Sequence, residues 1–80
     1  MSRAHDVVEV IARALAARPD DVAVSEYDRR GQTIVELTMA PGELGRVIGR
    51  QGRTAAAVRT LAAAAGELDG LKVGVDFQDD

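Results

Sequence analysis

Eighty residues with 46% hydrophobic and 29% charged content and no cysteine specify a single globular domain. A chain this short buries only about 60% of its unfolded surface and has no material for a second core. Lack of cysteine excludes disulfides and thiolate metal sites. No apolar run approaches the ~18 residues of a membrane span, and the charged start is unlike a secretory signal, so a cytoplasmic protein is expected.

In chain order, residues from about Ala4 to Ala17 place Val7, Ile11, Ala14 and Leu15 at helical spacing, with Asp6 early and Arg13 and Arg18 late as the helix dipole favours. Pro19 stops this helix. Val22 to Tyr27 reads as a strand, Asp28-Arg29-Arg30-Gly31 as a hairpin turn, and Gln32 to Met39 as a second strand with Val35, Leu37 and Met39 on one face and Glu36 and Thr38 on the other. Ala40-Pro41-Gly42 breaks the strand ahead of a short helix from Glu43 to Ile48, whose first turn Glu43 suits. A longer helix runs from about Arg53 to Ala65, with Gly66 as its expected stop. Leu71, Val73, Val75 and Phe77 then alternate with polar residues and Gly74 as a third strand, and the tail from Gln78 to Asp80 is expected to be loose. The order α-β-β-α-α-β, with three short strands and helices packed on one face, is an α+β fold with an ordered core of about residues 4–77.

The net charge of -3 speaks against a nucleic-acid partner until its distribution is seen. No acidic residue lies between Glu43 and Glu67, whereas Arg46, Arg50, Arg53 and Arg59 all do, so this stretch is +4 and the remainder -7 (-3 minus +4). Within it, Gly49-Arg50-Gln51-Gly52 joins two helices through a tight connection whose glycines can take positive φ and lack a Cβ to block an approaching backbone. The second helix begins there, so its open amides and positive dipole end face the space above the loop, where a phosphate fits. Val47 and Ile48 before the loop, with Val58 on the next helix, are expected to face the sheet and floor a shallow apolar groove for bases beside the phosphate site.

A bare Gly-x-x-Gly carries little weight. The longer string Gly45-Arg46-Val47-Ile48-Gly49-Arg50-Gln51-Gly52-Arg53-Thr54, preceded by Pro41-Gly42-Glu43-Leu44 and followed by Ala57-Val58-Arg59-Thr60-Leu61, resembles the signature of KH domains. The element order resembles their bacterial, type II arrangement. From about Val7 to Phe77, including Arg-Pro-Asp-Asp at 18 to 21, the chain is similar to the KhpA-like family of small bacterial single-KH proteins.

The resemblance implies a type II KH fold with a three-stranded mixed sheet and non-catalytic binding of single-stranded RNA. It implies a homodimer acting as an RNA chaperone or post-transcriptional regulator, and a larger KH/R3H-domain partner of the KhpB kind. Carried onto this chain, Gly49, Arg50, Gln51 and Gly52 form the clamp and Val47 and Ile48 line the groove, with Arg46, Arg53 and Thr54 flanking them. Arginine stands at 46 and 50 where many relatives have lysine, which keeps the charge and changes its geometry.

Competing readings fit less well. The nucleotide-binding patterns Gly-x-x-x-x-Gly-Lys-Ser/Thr and Gly-x-Gly-x-x-Gly are absent. A DNA-binding helix-turn-helix sits poorly with an acidic remainder. No nucleophile-base pair or paired carboxylates in a cleft can be assembled for an enzyme. His5, alone near a terminus, gives no metal cluster, and no cofactor is expected. The chief alternative is a protein-interaction module with weak RNA binding, suggested by Ala55, Ala56, Ala57 and Ala62 to Ala65, although alanine is also simply the best helix former.

Overall fold

The computed structural model describes residues 1–79; Asp80, at the end of the expected loose tail, lies outside them. The elements are α1 (Arg3–Leu15), β1 (Ala23–Arg29), β2 (Gln32–Met39), α2 (Gly45–Ile48), α3 (Arg53–Leu68) and β3 (Val73–Asp79), with single 3-10 turns at Pro19–Asp21 and Arg50–Gly52. β2 is the centre strand, paired along both edges. Val35, Leu37 and Met39 are essentially inaccessible on one face, and Glu36 and Thr38 lie on the other. β1 pairs with it antiparallel through a two-residue Arg30-Gly31 turn, with Tyr27 opposite Ile34. β3 pairs with it parallel, Val75 opposite Val35 and Phe77 opposite Leu37. The result is a mixed three-stranded sheet in the order β1-β2-β3 with the helices over one face, the α+β type II KH arrangement.

Ser2 caps α1, accepting from the His5 amide while its own amide and hydroxyl donate to Glu26 Oε1 on β1. The inward stripe of α1 is Ala4, Val8 and Ala12, with Ile11 packed beside it; the expected stripe of Val7, Ala14 and Leu15 is rotated away from this by about one residue. α1 packs beside α3, where Val58 and Ala62 join the same core. Small residues let two helices approach closely, so the alanines occupy the seam and the larger Val10 and Leu15 are left outside.

Other boundaries also differ from expectation: α1 ends at Leu15, β1 continues to Arg29 through the first half of the expected turn, and β3 begins at Val73. α2 starts at Gly45 instead of Glu43. α3 continues through Gly66 to Leu68 and ends in a reciprocal cap, Leu71 N donating to Gly66 O and Gly70 N to Glu67 O, so the left-handed residue that stops the helix is Gly70. Gly66 is buried inside the helix because α3 lies against β3 there; a Cβ at this position would collide with Val73 Cγ2. The last strand also extends past Phe77, Gln78 pairing with Thr38 and Asp79 with Met39.

Glu43 does more than favour a helix start. Its Oε1 accepts from the amides of Ala17 (2.6 Å) and Arg18 (3.2 Å), just past the end of α1, and lies 3.5 Å from Arg46 Nε. The side chain is buried, and Oε2 has no hydrogen-bond partner among the described residues. One carboxylate therefore clasps the exit of α1 to the entrance of α2.

Candidate nucleic-acid interface

The four residues of α2 bring the chain to Gly49 (φ 74°), where it turns through Arg50, Gln51 (φ 57°) and Gly52 (φ 72°) before entering α3. Gln51 is held in the left-handed region without glycine's freedom, a strain of about 1–2 kcal/mol that the surrounding geometry must impose. Gly49 is backed by Thr54, whose side chain fills the place a Cβ would take, so the corner is fixed from behind. Gly52 has nothing within 4 Å of that place, and so the corner is open in front. α3 begins there with no side-chain cap: the Gly52 and Arg53 amides turn back to Gly49 O and Arg50 O, and the amides that follow stand at the positive end of a 16-residue helix.

The arginines of this stretch are not equivalent. Arg50 is exposed and has no carboxylate within ion-pair distance among the described residues, while Arg53 donates to Gln51 Oε1 at 3.3 Å. Arg46 is exposed but tied to Glu43. Arg59 lies over the Phe77 ring, 4.8 Å from its centroid. The loop charge is thus concentrated on Arg50 and Arg53.

The aliphatic residues divide differently from expectation. Val47 and Val58 are core residues, 1% and 2% exposed, and cannot floor an outer groove. Val47 anchors α2 from beneath. Ile48, Gly49, Gly52 and Thr54 are half-buried around the corner, and Gln51 is exposed on it. The expected site is therefore one contiguous corner from Arg46 to Thr54 in which Val47 supports and Ile48 alone offers aliphatic surface.

Outside this corner, His5, Asp6 and Glu9 place ligand-type atoms within 4.8 Å of one another, a grouping not foreseen for His5. Its members already have partners: His5 Nδ1 faces Asp6 Oδ1 at 3.0 Å, Nε2 faces Val24 O at 3.2 Å, and Glu9 pairs with Arg13. This group buries and fastens α1.

Comparison with known proteins fits this geometry. Residues 5–77 match the family model described as "KhpA/KhpB, KH domain". The chain belongs to the KhpA/KhpB KH-domain family. Among KhpA relatives, the protein named RNA-binding protein KhpA in Halalkalibacterium halodurans is 45% identical over 91% of this chain and 96% of its own. Those so named in Aquifex aeolicus and Mycobacterium bovis are 42% identical (96% of this chain, 98% of the relative) and 49% identical (88% and 86%). Neither the α2 clasp at Glu43 nor the Arg59–Phe77 pair of this KhpA/KhpB domain was visible in its sequence. The partners of each lie at least 18 positions away, with no periodicity linking them. No helix is long and apolar enough to cross a membrane among the described residues.

Proposed function

We propose that this protein is a cytoplasmic, non-catalytic binder of single-stranded RNA that clamps the sugar-phosphate backbone over Gly49-Arg50-Gln51-Gly52. The observation that carries this reading is the corner itself: positive φ at Gly49, Gln51 and Gly52, open space in front of Gly52, and an uncapped helix start behind it. A phosphate oxygen there meets main-chain N–H donors and the positive end of α3, with Arg50 and Arg53 beside it. In KH domains such a loop holds about four nucleotides of backbone. Ile48 supplies the aliphatic contact, and Thr54 holds Gly49 in place. The names borne by the relatives support RNA as the ligand.

With Arg46 paired to Glu43 and Arg59 stacked on Phe77, two arginines remain for phosphate. Affinity should then fall with salt at a logarithmic slope of about -1.4. So shallow a dependence on an acidic body means weak binding by one domain, which a second copy offsets by raising the effective concentration of loops. Arg3 pairs with Asp69, so α1 and α3 run antiparallel and bring Val10 (68% exposed) and Leu61 (52% exposed) to similar levels on their outer faces. Such an apolar, alanine-lined face suits a homodimer. A KhpB-like protein with KH and R3H domains as heteromeric partner, and a role as RNA chaperone or post-transcriptional regulator, complete the proposal.

The test is the double variant Arg50→Asp with Gln51→Asp, which puts negative charge where phosphate would sit. Binding of a short uridine-rich RNA should drop at least about tenfold while the circular dichroism spectrum is unchanged. Undiminished binding by the folded variant would remove the loop as the site.

A further inference from the structure

Arg53, Ala56 and Arg59 fall at i, i+3 and i+6 of α3, a row of adjacent positions leading away from the loop. Arg59 is about 9 Å along the helix axis from Arg53, six residues at ~1.5 Å each. That is the scale of a nucleotide step or two beyond the loop. Ala56 between them is exposed and carries only a methyl group, so a notch separates the two arginines. At its far side Phe77 of β3 lies under the Arg59 guanidinium, 4.8 Å from ring centroid to Cζ. β3 is an edge strand of the sheet, and Phe77 faces the helical layer where it meets α3.

An arginine that reaches for phosphate through solvent has no fixed plane. Arg59 differs, because its Cζ stands over the Phe77 ring, which gives the head group an anchor while the residue remains exposed. No carboxylate lies within 4.0 Å of it among the described residues. Guanidinium planes are stacking surfaces for unpaired bases. Resting on the reading of the loop as the RNA clamp, we infer that Arg59, backed by Phe77, is the wall of a one-base subsite with Ala56 as its floor. The base stacks on the outer guanidinium face, giving ring, guanidinium and base in three layers. This contact reads the flat surface of a base and not its phosphate, and it supplies affinity that the two loop arginines lack.

The test uses the full chain and a short mixed-sequence RNA, intact and with one abasic nucleotide placed at each position in turn. Arg59→Lys keeps the charge and removes the plane; Arg59→Ala removes both. Both variants should stay folded by circular dichroism and bind about tenfold more weakly, the scale of one lost base-stacking contact, with the salt slope unchanged. A single abasic position should erase the difference between wild type and Arg59→Lys, since the stack is then already lost. Wild-type affinity for Arg59→Lys would overturn the subsite, and so would a salt slope about 0.7 shallower for Arg59→Ala, the mark of a phosphate contact. The Arg50→Asp, Gln51→Asp variant run in parallel separates the two readings. Loss of binding there with wild-type behaviour of Arg59→Lys overturns only the subsite, whereas full binding there overturns the loop and the subsite together.

Discussion

The two ends of α3 are both built around glycine, to opposite effect. At the C-terminal end Gly66 is buried in helical conformation against Val73, and its missing Cβ is the space into which β3 packs. At the N-terminal end Gly52 has a left-handed backbone and nothing near it, so its missing Cβ leaves main chain exposed to whatever approaches. In one case the absent side chain closes a core; in the other it opens a surface. Which of these a glycine does is decided by its neighbours and its φ, and a sequence states neither.

Substitutions at the two ends should therefore cross over in effect, and the largest lies at the packed end. Gly66→Leu forces a side chain into Val73 and should cost about 3 kcal/mol by denaturant unfolding, lowering the melting temperature by about 12 °C or more. The RNA affinity of the remaining folded protein should be unaltered. At the open end, Gly49→Ala should cost about 2–3 kcal/mol, from its positive φ together with the clash on Thr54, while Gly52→Ala meets no atom and should cost only about 1 kcal/mol. Gly52→Ala should nevertheless weaken RNA binding more than Gly66→Leu does; equal loss of affinity in the two would erase the distinction between the ends.

The smallest effect concerns acid. Next to the packed end, where Arg3 pairs with Asp69, the Glu26 carboxyl is held below the ordinary 4.5. The Ser2 hydroxyl is the main cause, opposed by burial and assisted by the Ser2 amide and the charges of His5 and the N-terminus. A carboxyl lowered on folding stabilises fully above its unfolded pKa, and that contribution is lost as pH falls through the lower folded value. Stability should thus decline below about pH 4.5 by less than ~1 kcal/mol from this source, and Glu26→Gln should flatten that part of the profile.

Much of the architecture was legible because strand alternation and glycine punctuation are local signals. The bounds of β2 were readable to the residue, since the hairpin turn and the Pro41-Gly42 break flank an apolar alternation that holds from Val35 to Met39. The stripe of α1 was misread because hydrophobicity favours large side chains, whereas the close approach of α3 selects Ala4 and Ala12. Gly66 was misread as a stop because its need for close packing depends on Val73 across a turn. At the candidate site, the loop, its charge and the sheet-facing direction of Val47 and Val58 were evident from the sequence, but the depth of their burial was not, because it depends on how closely the helices close over β2 and β3.

The Glu43 clasp bears on how this corner can be handled as a part. The stretch from β2 to β3 looks like a transplantable cassette, since it contains the loop, both of its helices and the two parallel strands. Yet the acid at its entrance is satisfied by amides at residues 17 and 18, outside that stretch. Excised or grafted without the segment that follows α1, the cassette would keep only Arg46 as a partner for this carboxylate and lose both of its amide donors. The N-terminal helix is in this sense a component of the grip and not an appendage to it.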